Sequence, residues 1–168
     1  LHELGKPSIA KVNGDAVGAG MNLALGCDLI VAGESARFSE IFARRGLSLD
    51  FGGSWLLPRL VGMHKAKELA FFADILSARE AERMGLVNRV VPDAELDAFV
   101  ADWAERLSTS APLALQLSKK LLSNAFSIGL SEALDAEAAA QSVNLVSEDT
   151  KEGVRAFLEK RKPAFRGR

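Results

Sequence analysis

The chain has 168 residues, 48% of them apolar and 26% charged, with a formal net charge of −1; this length suits one ordinary domain, able to bury about 70% of the surface its unfolded form exposes. The near-neutral balance provides no field for nucleic acid or an anionic membrane, and no run approaches the roughly 18 apolar residues of a bilayer span. A single cysteine, Cys27, excludes an internal disulfide and fits a reducing, cytoplasmic compartment; with only two histidines, no zinc-type cluster can be assembled.

The opening stretch LHELGKPSIAKVNG has no initiator Met and no charged-then-apolar signal pattern, and reads as a chain cut or trimmed at its start. Residues 7–12 (PSIAKV) read as a strand with proline at its first position. Asn13-Gly14-Asp15 reads as a turn. Residues 18–26 follow as a short buried helix, 28–32 as a buried strand and 36–38 as another short strand. Residues 39–62, punctuated by Gly46, Gly52, Gly53, Pro58 and Gly62, read as loop-rich.

Beyond that point the pattern is mostly helical. Ser77-Ala78-Arg79-Glu80 fits a capping box. Residues 87–91 form a short strand closed by Pro92, and Asp93 is expected to cap a helix. In that helix Leu96, Phe99, Val100, Trp103 and Leu107 share one face at period 3.6. Ser110 with Pro112 opens the next helix, which carries Leu113, Leu117, Leu121 and Phe126 and ends at Gly129. Residues 131–146 and 150–160 are two more, the last preceding the basic end KRKPAFRGR. Strands followed by helices predict a layered α/β region, residues 1–92, and a helical region, residues 93–168.

The stretch NGDAVGAGMN places Gly14, Gly18 and Gly20 at a strand-to-helix junction. The spacing G-x-x-x-G-x-G does not match a dinucleotide fingerprint, and no Gly-Lys-Ser/Thr follows as in a phosphate loop. Two readings remain. The small residues let a carbonyl oxygen approach the unpaired N–H groups at the start of the helix, which makes an oxyanion hole. Alternatively, the glycines only permit close packing of helix on strand.

The stretch KPSIAKVNGDAVGAGMNLALGCDLIVAGESARFS resembles the enoyl-CoA hydratase/isomerase (crotonase) family, whose pattern is K-P-x-I-A-x-V-N-G-x-A-x-G-x-G, then C-D-x-x-x-A and A-x-F. GLSLDFGGSWLLPRLVG, SAREAERMGLVNRVV and KEGVRAFLEKRKPAF continue the likeness in order, from Lys6 to the C-terminus. The resemblance implies a β-β-α spiral lacking its N-terminal portion, about a third of the fold, followed by a C-terminal helical region that forms a homotrimer or a dimer of trimers. It implies an acyl-CoA thioester as substrate and no separate cofactor, metal or nucleic acid. One oxyanion N–H falls on Ala19; the other comes from a junction upstream. Gly18, Gly20, Asn22, Phe42, Phe51 and Trp55 fall on substrate-binding positions, and Phe157 and Lys160 on CoA contacts. Residues 151–168 hold seven Lys/Arg against two Glu, a local charge that suits phosphates.

In hydratases of the family two glutamates activate water. The matching positions here are Asn22 and Phe42, neither of them an acid. Asp50 lies where an isomerase-like branch carries an aspartate. A lone carboxylate suits a 1,3-proton shift through an oxyanion-held dienolate, and flanking Phe51 and Trp55 are expected to desolvate it. The competing reading of Asp50 is an N-cap for a helix starting near Gly52. The resemblance thus implies double-bond isomerisation, with a β-oxidation enoyl-CoA hydratase or a truncated, non-catalytic CoA-binding or assembly protein as alternatives. Elsewhere, Glu40, Arg44 and Arg45 read as solvated or mutually paired, with an arginine at a pocket mouth as the alternative. His64 reads as a solvated turn or helix-start residue, Cys27 as a buried small apolar group, and Trp103 as part of a core or trimer face.

Overall fold

Two short strands open the first layer without pairing to each other. β1 (Ile9–Val12) and β2 (Asp15–Val17) are separated by a bend at Gly14 that sends them into different sheets, so no hairpin turn forms. Helix α1 (Ala19–Leu25) then carries the chain back. β3 (Leu29–Gly33) and β4 (Arg37–Ser39) lie parallel to β1 and β2, with Ile9 opposite Leu29 and Asp15 opposite Arg37. Each β-β-α course thus adds one strand to each of two sheets. Parallel neighbours need a crossover of this kind, which a tight turn cannot supply. The computed structural model describes residues 1–168 and divides into two compact units, Leu1–His2 with Ser8–Trp103, and Glu3–Pro7 with Ala104–Arg168.

The first unit continues through α2 (Gly53–Val61), α3 (Met63–Phe72), β5 (Leu76–Ser77), α4 (Ala78–Arg83) and β6 (Arg89–Val91). The sheets run β1-β3-β6, all parallel, and β2-β4-β5, with β5 antiparallel to β4. β3 is central in its sheet and apolar throughout, as a strand covered on both faces must be. Met21, Val31, Ala32, Phe38, Leu57, Ala73, Ala78 and Ala81 are sealed from solvent. A large side chain such as Phe38 contributes about 1.5–3 kcal/mol on burial. The capping box at α4 is present: Ser77 N–H donates to Glu80 Oε2 at 2.8 Å and Glu80 N–H to Ser77 Oγ at 3.3 Å.

Residues 39–62 are more ordered than their punctuation predicts. A 3-10 turn, Ile41–Arg45, is closed by Gly46 in the left-handed region at φ 68°. Pro58 lies inside α2, where its missing N–H leaves the Ser54 carbonyl without its usual helical donor. The neighbouring Leu57, fully buried, anchors the helix despite that loss. Asp93 caps no helix. It begins a 3-10 turn (Asp93–Glu95), and its Oδ1 accepts the Ser35 N–H at 3.1 Å, crowding Gly33 so closely that no side chain fits there. Cys27 is only half-buried, its Sγ turned toward the Leu23 carbonyl. In α5 (Leu96–Ser108), Leu96, Phe99, Val100 and Trp103 pack with Val31 and Val91 as a second small core.

The second unit contains α6 (Pro112–Asn124), α7 (Leu130–Val146) and α8 (Glu148–Leu158). α6 stops short of Phe126, and Gly129 instead starts α7, its N–H held by Glu132 at 3.0 Å. The basic end is largely tied down. Arg161 is clamped by Glu152 and Glu159, and Arg168 pairs with Glu148. The Arg161 hydrogen bond, with the Ala164 N–H, holds the Glu152 carboxyl down at about 2. Buried Asp149 accepts the N–H groups of Arg166 and Gly167 at 2.7 and 2.8 Å. No helix of the structure is long and apolar enough to cross a membrane.

Candidate active site

The glycine cluster has two jobs. Gly18 takes φ 54°, and a Cβ there would stand 3.3 Å from Ile41 and 3.4 Å from the Phe42 ring. Backbone freedom and close packing both require glycine at that position. Gly20 faces open space and is exposed. Close packing therefore explains Gly18 and leaves Gly20 unexplained. Gly18 donates its N–H to the Ser39 carbonyl at 2.8 Å, and no side chain caps α1. The next two N–H groups, of half-buried Ala19 and exposed Gly20, have no acceptor in the protein.

Asn22, one turn further along α1, is fully buried. Its Nδ2 donates to the main-chain carbonyl of Asp50 at 3.0 Å and to Glu40 Oε2 at 3.3 Å. The amide packs so tightly on Gly53 that any side chain there would overlap it. Asn22 thus supports the loop from beneath: its Nδ2 is engaged within the protein, while its Oδ1 is buried without a donor. Phe42 is likewise buried, against Gly18.

The Asp50 carboxylate is exposed and makes no hydrogen bond or ion pair. It is not an N-cap: α2 begins after Gly52 with no side-chain cap, and only the Asp50 carbonyl takes part, accepting the Gly53 N–H at 2.9 Å. The chain turns there through two successive left-handed residues, Phe51 at φ 48° and Gly52 at φ 84°. A non-glycine residue in that region costs about 1–3 kcal/mol, and such residues cluster at functional sites. The expected desolvation of Asp50 by its aromatic neighbours is not provided by the chain itself. Phe51 is 65% exposed and Trp55 39%.

Phe51, Gly52, Trp55, Leu56 and Leu23, with His2, line a mostly apolar cleft of about 400 Å³. Trp55 is held in place by His2 edge-on at 5.2 Å and by the Arg59 guanidinium over its ring at 3.9 Å.

Glu40 corrects the sequence reading. It is neither solvated nor paired with arginine. It is 1% exposed, and Arg44 pairs instead with Asp74. Burial raises its carboxyl from 4.5 to about 7, against the hydrogen bond from Asn22 and with a further push from the Asp50 charge. No local alternation marks it: Phe38 and Ser39, on opposite faces of β4, are both buried, and Glu40 follows the end of that strand. In the second unit, Phe157 is 82% exposed and Lys160 is exposed, with φ 54°.

The family model for enoyl-CoA hydratase/isomerase matches residues 1–168. The chain belongs to the enoyl-CoA hydratase/isomerase family. A Rhodobacter capsulatus protein named "Probable enoyl-CoA hydratase" is 46% identical over 96% of this chain and 63% of its own length. The 1,2-epoxyphenylacetyl-CoA isomerase of Escherichia coli is 42% identical over 100% of this chain and 64% of its own. The crystal structure of an enoyl-CoA hydratase from Bacillus anthracis superposes with a TM-score of 0.96 at 36% identity, over 99% of this chain and 65% of that one. The chain therefore has the crotonase fold and spans somewhat less than two thirds of the length of these family members. Hydratase and isomerase names both occur among its relatives, so the family does not by itself choose the chemistry.

Proposed function

We propose that the protein acts on acyl-CoA thioesters and moves a carbon–carbon double bond, with Asp50 as the single acid/base and the Ala19 N–H as an oxyanion donor. The observation that carries this reading is an exposed, unpartnered carboxylate on a loop that Asn22 ties to the helix bearing two unpaired N–H groups. With a 3-enoyl thioester, Asp50 removes a proton from C2. The electron pair moves onto the thioester oxygen, where the Ala19 N–H stabilises the dienolate, and the protonated Asp50 returns the proton to C4. Gly18 and Gly20 keep the approach to that N–H open, and Phe51 and Trp55 offer apolar surface to the acyl chain. Substrate entering the cleft supplies the desolvation that the free chain lacks. Asn22 and Phe42 contribute from beneath. No separate cofactor is needed, because the thioester itself is the electron sink.

Hydration is the second reading, favoured by the names of several relatives. It calls for two acids at the cleft. Glu40 is sealed beneath Asn22, out of reach of a cleft-bound water, which supports the single-acid chemistry. Phe157 and Lys160, both exposed, are proposed CoA contacts. The unpartnered apolar faces of α6 to α8 support association of copies, as a trimer or a dimer of trimers.

The test is Asp50→Asn in the full-length protein, assayed for conversion of a 3-enoyl-CoA to the 2-enoyl isomer and, separately, for hydration of crotonyl-CoA. Isomerisation falls about 10²–10⁴-fold while thioester binding, read by calorimetry, persists. An unimpaired variant would end the Asp50 assignment. Wild-type hydration at a rate matching isomerisation would favour the second reading.

A further inference from the structure

The dipeptide Ser39-Glu40, at the end of β4, touches both halves of the proposed machinery. The Ser39 carbonyl holds the Gly18 N–H at 2.8 Å, immediately before the unpaired N–H groups of Ala19 and Gly20. The Glu40 carboxyl meets the Asn22 amide, and that amide meets the Asp50 carbonyl. Because a carbonyl can only accept, the Asn22 amide must turn Nδ2 toward Asp50, and the second hydrogen of Nδ2 then falls to Glu40 Oε2. The other oxygens, Asn22 Oδ1 and Glu40 Oε1, are buried without a donor, so nothing else fixes the amide plane except packing on Gly53.

We propose that Glu40 is a positioning residue: by orienting the Asn22 amide it fixes the Asp50 main chain, and through it the carboxylate, relative to the N–H groups at the start of α1. Glu40 is 1% exposed and cannot touch substrate, so it is not itself an acid/base in the reaction. Ser39, the residue before it, is also buried, its Oγ donating to the Ala73 carbonyl at 3.1 Å, which anchors the dipeptide to the end of α3. The chain keeps a carboxyl group where burial lifts it to about 7, in a place a leucine would fill at less expense. The Phe51–Gly52 turn, with both residues left-handed, is the segment that most needs such restraint.

The functional part of this proposal rests on the Asp50 reading; its structural part does not, and two measurements separate them. Hydrogen exchange on the full-length protein reads the restraint directly. The amides of Gly53, Trp55 and Leu56 are the ones that the Asp50 and Gly52 carbonyls accept. Glu40→Ala raises their exchange at least tenfold while amides of β3 keep their protection, and Glu40→Gln, which retains an acceptor oxygen, restores the wild-type rate. Unchanged exchange of these three amides in Glu40→Ala overturns the proposal whatever the enzyme catalyses. If Glu40→Ala does not fold, Asn22→Ala breaks the same link from the other side, and normal exchange of the three amides in that variant is equally fatal.

Turnover is the second readout. Glu40→Ala lowers kcat for isomerisation about 10–100-fold with KM within threefold, and in an Asp50→Asn background the further loss shrinks to less than threefold. A full additive loss in that background shows that Glu40 does not act through Asp50. Unimpaired turnover in Asp50→Asn alone defeats the isomerase reading and leaves the exchange result standing.

Discussion

Residues Ser8–Trp103 hold nearly all of the fully buried side chains, among them Met21, Val31, Phe38 and Leu57, whereas α6 buries none and α7 only Ala140. The second unit instead presents Leu122, Phe126, Leu130, Leu145, Val146, Phe157 and Leu158 at about two-thirds exposure or more. Both regions draw on the same apolar alphabet. In the first, strands at period 2 and helices at period 3.6 meet each other and close a core. In the second, the helices carry apolar side chains that the unit itself leaves exposed. An apolar face therefore signals burial, but not by what. A polar side chain that is completely buried, such as Asn22 or Glu40, is the rarer observation and says more about function.

Substitutions can break or sharpen this contrast, and the largest expected effects lie in the first unit. Phe38→Ala empties the centre of the core and should cost about 3–5 kcal/mol in chemical denaturation. Asp50→Asn, at the surface of the same unit, should leave stability within about 0.5 kcal/mol yet remove a similar amount of transition-state stabilisation, about 3–5 kcal/mol. If the two exchanged roles, with Asp50→Asn unfolding the protein and leaving turnover intact, the division between core and site would collapse.

Glu40 supplies a pH-dependent version of the test. Its folded value of about 7 lies above the ordinary 4.5. Between those pH values the folded state binds more protons than the unfolded, so its contribution to stability falls as pH rises and is flat above about 7. Glu40→Gln cannot titrate. It should match wild type near pH 4.5 and exceed it by roughly 1–3 kcal/mol at pH 8. A difference between the two proteins that does not change with pH would show that the carboxyl is not held in a desolvated state. Next in size is Ser77→Ala, which removes a cap from α4 and should cost about 1 kcal/mol. The smallest effect on stability belongs to the second unit. Leu130→Ser with Leu134→Ser should change unfolding of dilute protein by at most about 0.5 kcal/mol, while sedimentation shifts toward smaller species. Unchanged sedimentation would mean that those apolar faces do not join copies of the chain.

The legible parts of the fold were the local ones. α1 follows from its short apolar run, α4 from Ser77 and Glu80, and α5 from the spacing of Leu96, Phe99, Val100 and Trp103, because each signal and its consequence lie within a turn or two of one another. Pro58 and Gly129 misled for the converse reason. Proline ends a helix unless packing holds it, and Leu57 does hold it; a glycine between two helices can serve either end, and the Glu132 contact settles which. For the site, the motif pointed to Ala19 and Asp50, and the structure leaves both accessible. Glu40 was passed over because a glutamate between Ser39 and Ile41 has no local feature that distinguishes a buried carboxyl from a solvated one.

Residue order alone determined the family and the succession of strands and helices, since these depend on periodicity and on short motifs that survive in one dimension. Whether Asp50 caps a helix or stands free, and whether Glu40 meets water or the Asn22 amide, depended on packing between residues 18 to 28 positions apart. Burial and hydrogen-bond direction are properties of what surrounds a side chain in space, and a charged or amide group takes either role until the fold closes around it.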